Sequence, residues 1–458
     1  MTDKKTPGDA MTPQKSLRRR ILTAGSWTLG GFAVERALRL GSNLVMTRLL
    51  APEAFGLISM VVAVQLLVDM ISDIGIRQSV VRHKDGEDPH FLRVAWTVQI
   101  LRSGVVAGLV VLAALGFLEL GPLLAAPDNV YADPMLPGLV LASALPVLMR
   151  GAASVNVYLA ARRLHLGRAV TLDICDPLIS IPAMILFAQI EASAWALMAG
   201  MLVGAAVRLA LSHILFPQPR MRLTWDSEIA DELWRFGRWL IGASLAGFVA
   251  RNGDRFILGA LLSKTDFGFY AIAAIWVQTG AVVLTKLADQ VIFASVSELY
   301  RTSAAGLRRV LGRLRLGFDA LCVAGFLVAF FLGSWFVELL YPPAYAAAGA
   351  MISLLAFRLL ALRYLPLGAV LLAAGDSRST MYVTVLRALW MLSAPIAAWY
   401  ALGLDAMLIA AALTPLAGAP LLLRRVAPHL GGRVLRTDYA IMAAILAAGL
   451  AAAALHLH

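Results

Sequence analysis

The sequence predicts an all-α polytopic membrane protein, built as two related six-helix halves with one extra hydrophobic helix at the C-terminus. Three observations carry this. Of 458 residues, 60% are hydrophobic and 15% charged, and the mean hydropathy is +0.77. Soluble domains average about 45–50% apolar and about 25% charged. The apolar residues come in runs of about 20, the length an α-helix needs to cross about 30 Å of hydrocarbon. The chain also repeats itself at a fixed offset.

Apolar runs between polar breaks give spans at 24–47, 54–76, 94–118, 135–160, 169–189, 193–216, 239–262, 267–295, 316–339, 345–374, 379–401 and 405–423, with a further run at 439–457. Several breaks carry turn chemistry: Ala51-Pro52-Glu53, Tyr341-Pro342-Pro343 and Gly375-Asp376-Ser377. The expected organisation is a basic tail (1–23), a first lobe (24–216), a linker (217–238), a second lobe (239–426) and a C-terminal extension (427–458). The tail lacks a short apolar region ending in a small-residue cleavage site, so the first run reads as a retained helix rather than a removed leader.

The net charge of +12 invites a nucleic-acid reading, but the placement of the charge opposes it. With the N-terminus in the cytoplasm, the inner segments carry 27 Lys/Arg and the outer loops only Arg48 and Lys264. This is the positive-inside pattern of a multi-pass inner-membrane protein. The basic face meets anionic lipid, which accounts for the charge without nucleic acid. The outer loops are short, and the linker, with Trp225, Trp234 and Arg235, reads as interfacial.

Gly25-Ser26-Trp27-Thr28-Leu29-Gly30 recurs as Gly237-Arg238-Trp239-Leu240-Ile241-Gly242, an offset of 212 residues. In the same register Arg39 falls on Arg251, Gly41 on Gly253, Leu49-Leu50 on Leu261-Leu262 and Phe55-Gly56 on Phe267-Gly268. One extra residue aligns Arg150 with Arg363 and Pro182 with Pro395. Six helices per half start both copies on the same side, so the repeats are parallel.

No phosphate loop, zinc-protease motif, nucleophile elbow or Cys/His metal spacing occurs, and no cofactor is expected. Cys175 and Cys322 lie in apolar runs and read as small buried hydrophobes. Gly104/Gly108 and Gly200/Gly204 read as close-packing pairs.

Chemistry is expected from charges inside the membrane. Eleven cations fall there: Arg36, Arg39, Arg102, Arg150, Arg208, Arg251, Arg255, Lys286, Arg358, Arg363 and Arg387. Each costs about 2.5–3.5 kcal/mol at a helix centre on insertion scales, so such residues usually face a wet cavity or a partner. Arg102, Arg208 and Arg387 read as helix-end residues that snorkel. The first helix of each half is densest. Glu35 and Arg39, four apart, can pair beside Arg36. Arg251 and Arg255 share a face, with Asp254 beside them. They form either an anion site or a pair neutralised by acids. On the second helices, Asp69, Asp73 and Arg77 form one face, and Lys286 and Asp289 sit three apart. These serve ion coupling or inter-helix pairing. Asp173 and Asp176 read as helix-start acids favoured by the macrodipole.

The stretch Gly41-Ser42-Asn43-Leu44-Val45-Met46-Thr47-Arg48-Leu49-Leu50-Ala51-Pro52-Glu53-Ala54-Phe55-Gly56, with Ser72-Asp73-Ile74-Gly75-Ile76-Arg77-Gln78-Ser79-Val80-Val81-Arg82, resembles the opening of bacterial polysaccharide flippases. These are the lipopolysaccharide and exopolysaccharide exporters of the multidrug/oligosaccharidyl-lipid/polysaccharide superfamily. The resemblance covers about residues 24–426. It implies two six-helix bundles in a V around a central cationic cavity. It also implies transport of undecaprenyl-diphosphate-linked oligosaccharide, with no catalysis, for O-antigen or exopolysaccharide synthesis. Cavity residues would be Arg36, Arg39, Arg150, Arg251, Arg255, Lys286, Arg358 and Arg363, whose guanidinium pairs suit a diphosphate. Glu35, Asp69, Asp73, Asp254 and Asp289 would serve ion coupling or pairing. Membrane lipid is the expected environment, and polymerase and chain-length proteins of the same pathway are expected partners. The 439–457 run departs from a twelve-helix plan.

Three rivals follow. A drug or cation antiporter of the same superfamily should have an acidic, aromatic cavity. A glycan polymerase or ligase should have a sizeable outer loop. A scaffold would not need the interior charges.

Overall fold

A computed structural model describes residues 13–71, 75–124, 128–163, 167–302, 304–430 and 432–455. Among them every regular element is helical. The helices follow the apolar runs: α1 (Pro13–Met46), α2 (Pro52–Ile71), α3 (Ile76–Arg82), α4 (Pro89–Leu124), α5 (Met135–Ala142), α6 (Ala144–Ala152), α7 (Val157–Arg162), α8 (Gly167–Ile190) and α9 (Ala194–Leu215). The repeat begins again with α10 (Ser227–Leu261), α11 (Lys264–Leu287), α12 (Phe293–Thr302) and α13 (Ala304–Leu340). Then come α14 (Ala347–Leu355), α15 (Phe357–Ala361), α16 (Leu365–Ala373), α17 (Ser377–Leu402), α18 (Leu404–Ala412), α19 (Thr414–Ala417), α20 (Ala419–Leu430) and α21 (Gly432–Leu455).

Ten helical stretches among the described residues are long and apolar enough to span a membrane. The last of the ten, Arg436–Ala454, lies in the C-terminal extension, and the expected run at 405–423 is not among them. The expected spans in α1 and α10 hold three charged residues each, which lowers their hydropathy: Glu35, Arg36 and Arg39, and Arg251, Asp254 and Arg255.

The turn chemistry acts where expected. Pro52 opens α2, where its missing N–H is not needed. Gly375 takes φ +75, and the Asp376 side chain then accepts the Ser379 N–H to start α17. Ser263 caps α11 by accepting the Asp266 N–H, and Ser193 caps α9 by accepting that of Trp195. The aligned prolines Pro182 and Pro395 both sit inside helices, α8 and α17.

Two expectations are corrected. Asp69 and Arg77 do not share one helix face. The helix α2 ends at Ile71, Gly75 adopts φ +67, and Arg77 lies on the separate α3. Asp73 itself falls outside the described residues. The two glycine pairs also differ. A Cβ on Gly200 would press on Met184 and one on Gly204 on Asp176, so that pair lets α9 meet α8 closely. Nothing lies within 4 Å of a Cβ on Gly104 or Gly108.

Contacts group the chain into two compact units that cut across the two sequence halves. Unit 1 is Met1–Met46, Ser72–Val111 and Ala142–Leu240. Its core joins Ile76, Val80, Phe91, Leu92, Ala95, Val155, Leu159 and Leu233, with Met221 and Ile229 packed against them. The linker is therefore bound into this unit. Arg162 fastens the same region by donating to the carbonyls of Val80, Val81 and His83 at 3.0, 3.0 and 2.6 Å.

Unit 2 is Thr47–Ile71, Leu112–Leu141 and Ile241–His458. It draws in α2 from the first half, and α2 packs along α11. A Cβ on Gly56 would come within 3.2 Å of the Gly268 nitrogen, and a Cβ on Gly268 would collide with the Pro52 backbone. The aligned Phe-Gly pairs thus bring the two backbones together where only glycine fits.

Candidate functional site

In unit 1 the charged turn of α1 faces α8. Arg39 Nε donates to Glu35 Oε1 at 2.8 Å, the expected i,i+4 pair. Its Nη2 also lies 3.5 Å from Asp176 Oδ2. Asp176 is ten residues into α8, beyond the reach of the helix start, and the bare Gly204 leaves room for its carboxylate. Its role is to hold Arg39 rather than to serve the dipole. Asp173 likewise pairs with Arg208 at 2.9 Å, so Arg208 is tied into the unit rather than simply snorkelling. Arg36 lies over the Phe32 ring at 5.3 Å, and its buried Nε has no hydrogen-bond partner. Arg150 is exposed in the last turn of α6. Two carboxylates, Glu35 and Asp176, thus answer Arg39 on α1.

Unit 2 differs. Asp254 on α10 is buried and has three partners. Tyr270 on α11 donates its hydroxyl to Oδ2 at 2.7 Å. The Arg255 N–H donates to Oδ1 at 3.0 Å. Arg358 Nη1 lies 3.7 Å from Oδ2. The other arm of Arg358 donates to the Arg251 carbonyl at 3.2 Å. Gly247, one turn before Arg251, leaves space for that guanidinium: a Cβ there would lie 3.2 Å from Arg251 Nη1. Three arginines and one aspartate thus meet here: Arg358 brings its guanidinium to the carboxylate, Arg255 its backbone N–H, and Arg251 offers its carbonyl to Arg358. Arg251 is exposed.

The equivalence of Arg39 and Arg251 in the repeat is therefore positional but not electrostatic. An acid from α8 answers Arg39. A third arginine, from α15, joins Arg251.

Arg363 takes another course. It is buried and donates to Asp319 Oδ2 at 2.6 Å, with Asp438 Oδ1 at 3.8 Å. Arg315 donates to the same Asp438 oxygen at 2.6 Å. The resemblance implied a cavity position for Arg363, but two carboxylates from α13 and α21 hold it. Lys286, half-buried, ends α11, and Asp289, exposed, lies in the π-helical turn 288–292 that follows. Asp69 is half-buried near the end of α2.

Tyr270 and Asp176 were not anticipated as parts of these patches. Neither has a sequence signal, because each meets its arginine or aspartate from a neighbouring helix. No cluster of three or more metal-ligating side chains occurs among the described residues.

The helical architecture is that of a known class of membrane transporter. It matches "Lipid II flippase MurJ, inward closed conformation" with a TM-score of 0.68 at 10% identity, covering 94% of this chain and 97% of that one. It also matches a multidrug resistance MATE family transporter of the MOP superfamily, in an inward-facing conformation. That TM-score is 0.64 at 12% identity, over 88% of this chain and 96% of that one. At such identities the likeness establishes the fold alone. The chain belongs to the polysaccharide biosynthesis protein family, whose model matches residues 45–349. Succinoglycan biosynthesis transport protein ExoT of Rhizobium meliloti (strain 1021) is 23% identical over 57% of this chain and 51% of its own length. Lipopolysaccharide biosynthesis protein WzxC of Escherichia coli (strain K12) is 24% identical over 62% of this chain and 56% of its own length. The matches thus span about half the length of these curated relatives. The chain is a multi-pass membrane protein of this family.

Proposed function

We propose that this protein is a flippase. It moves undecaprenyl-diphosphate-linked oligosaccharide across the bacterial inner membrane by alternating access, with its N-terminus in the cytoplasm. The observation that carries the reading is the unit 2 patch, where Arg251, Arg255 and Arg358 outnumber Asp254. Guanidinium groups stay charged at any physiological pH and bind phosphate oxygens in pairs, so this arrangement suits a diphosphate. The names of the relatives support the same substrate class: one is a succinoglycan transport protein and one a lipopolysaccharide biosynthesis protein. Arg36 and Arg39 serve as the corresponding contacts of unit 1, Arg39 held by Glu35 and Asp176. Arg150 and Lys286 add positive charge. Arg363 drops out of the contact set because Asp319 and Asp438 hold it.

The antiporter reading shares the fold, so fold does not separate the two. Charge does: a cation carrier needs surplus carboxylate where this patch has surplus guanidinium. Arg251→Ala with Arg358→Ala should abolish surface polysaccharide, with lipid-linked repeat units accumulating on the cytoplasmic side. Normal export in that double variant would refute the assignment. The polymerase and chain-length proteins of the same pathway are the partners this reading expects.

A further inference from the structure

The segment that carries Arg358 is not a continuous helix. Between Ala347 and Ala373 the chain runs through α14, α15, a 3-10 turn at Leu362–Tyr364 and α16, with Pro366 at the start of α16. An unbroken α-helix is held rigid along its length by its own i→i−4 hydrogen bonds. A helix broken twice within ten residues depends on neighbours to keep its pieces aligned. Arg358 sits on the five-residue piece between the breaks, α15.

On one side of this segment lies the arginine patch, through the contacts of Arg358 with Asp254 and Arg251. Another set of contacts comes from α21, which holds the last spanning candidate. It ties to the segment at three points. Asp438 reaches Arg363 in the 3-10 turn. Its backbone carbonyl accepts the Tyr364 hydroxyl at 3.0 Å. Gly449, further along α21, lies so close that a Cβ there would be 3.9 Å from the Phe357 ring, one residue before Arg358. Tyr364 is fully buried, and Asp438, Arg363 and Arg315 are each less than 9% exposed. Arg315 from α13 and Asp438 pair at 2.6 Å, which pins α21 itself. A buried ion pair adds little net stability, yet it fixes geometry, because either charge left alone inside is very costly. The residues matched by the family model end at 349, so α15, the 3-10 turn, α16 and α21 lie beyond them.

We infer that α21 is a positioning element for the arginine patch: Asp438 locks the broken segment so that Arg358 is held beside Arg251. Asp438 and Tyr364 are positioning residues and touch no substrate. The inference rests on the reading of the patch as a diphosphate site.

The test is titration of the full chain, in lipid nanodiscs, with inorganic diphosphate, read by calorimetry. Thermal unfolding is followed in parallel. Asp438→Asn should weaken binding by roughly threefold to thirtyfold, the range seen for residues that act on a site through packed neighbours. Asp438→Glu should restore it. Tyr364→Phe removes only the hydroxyl bond to α21 and should weaken binding in the same direction. It also decides the matter if Asp438→Asn fails to fold. Wild-type affinity in both Asp438→Asn and Tyr364→Phe would overturn the inference, and so would lowered thermal stability with unchanged affinity. Arg358→Ala separates the two claims. If it abolishes binding while the α21 variants do not alter it, the patch stands and the lock falls. If Arg358→Ala and Arg251→Ala both bind like wild type, the patch reading falls and takes the lock with it.

Discussion

Glu53 Oε1 and Thr265 Oγ1 are hydrogen-bonded at 2.5 Å, and the two residues are 212 positions apart, the offset of the internal repeat. Equivalent positions of the two copies therefore touch each other. Gly56 and Gly268, the next aligned pair, meet three residues further along the same helices. Two parallel copies produce such self-matched contacts where they come together about a shared axis. Tyr345 donates to the Leu50 carbonyl at 2.6 Å and Asn129 to that of Ala260 at 3.0 Å, which closes this end of unit 2.

If transport opens this contact, bridging it must stop transport. Glu53→Cys combined with Thr265→Cys, oxidised to a disulfide, should block polysaccharide export, and reduction should restore it. Either single substitution should leave export near normal. Continued export with the bridge intact would mean that the α2–α11 contact persists throughout the cycle.

Tyr270 satisfies the buried Asp254 carboxylate. Tyr270→Phe keeps the ring but removes the donor, leaving a charged oxygen short of one hydrogen bond. The expected loss is about 1–3 kcal/mol. It should appear as a lower unfolding temperature, together with weaker diphosphate binding as Arg358 shifts. A stability equal to wild type would show that another donor replaces the hydroxyl.

The two glycine pairs give a paired comparison. Gly204→Leu should destabilise by about 1–3 kcal/mol through overpacking. The new side chain displaces Asp176 and so frees Arg39. Gly108→Leu meets open space and should stay within about 0.5 kcal/mol of wild type. Thermal unfolding of the two variants side by side checks the ranking, and the reverse order would contradict the α8–α9 packing.

The linker is fastened by charges outside the membrane-spanning segments. A hydrogen bond from His90 lowers the Asp226 pKa, helped by the backbone N–H groups of Ile229 and Glu228. A hydrogen bond from Arg163 lowers the Glu87 pKa. For a depressed carboxylate, the stabilisation is complete above its unfolded value, about 3.9 for Asp and 4.3 for Glu. It is lost as pH falls through the lower folded value. Hydrogen exchange in residues 226–235, corrected for intrinsic rates, should therefore accelerate only under acid conditions below those values. Asp226→Asn should remove part of that acid step. A step of unchanged size would assign it to other groups.

The sequence determined the spans, because hydropathy over about 20 residues is local information. Pro52, Gly375 and Ser263 likewise act within a residue or two of themselves, so their turns and caps were readable in order. The 212-residue repeat was legible too, and so was the concentration of cations on the first helix of each half. Only the tertiary structure decided which of those charges are paired, and with what. Asp176 reaches Arg39 from α8, Tyr270 reaches Asp254 from α11, and Asp438 reaches Arg363 from α21. Each partner sits far away in sequence on a helix whose rotation about its own axis no one-dimensional pattern specifies, since an apolar helix in lipid is hydrophobic on every side. The all-helical architecture therefore follows from the sequence read alone. Which of its arginines are answered by carboxylates follows from how the helices pack.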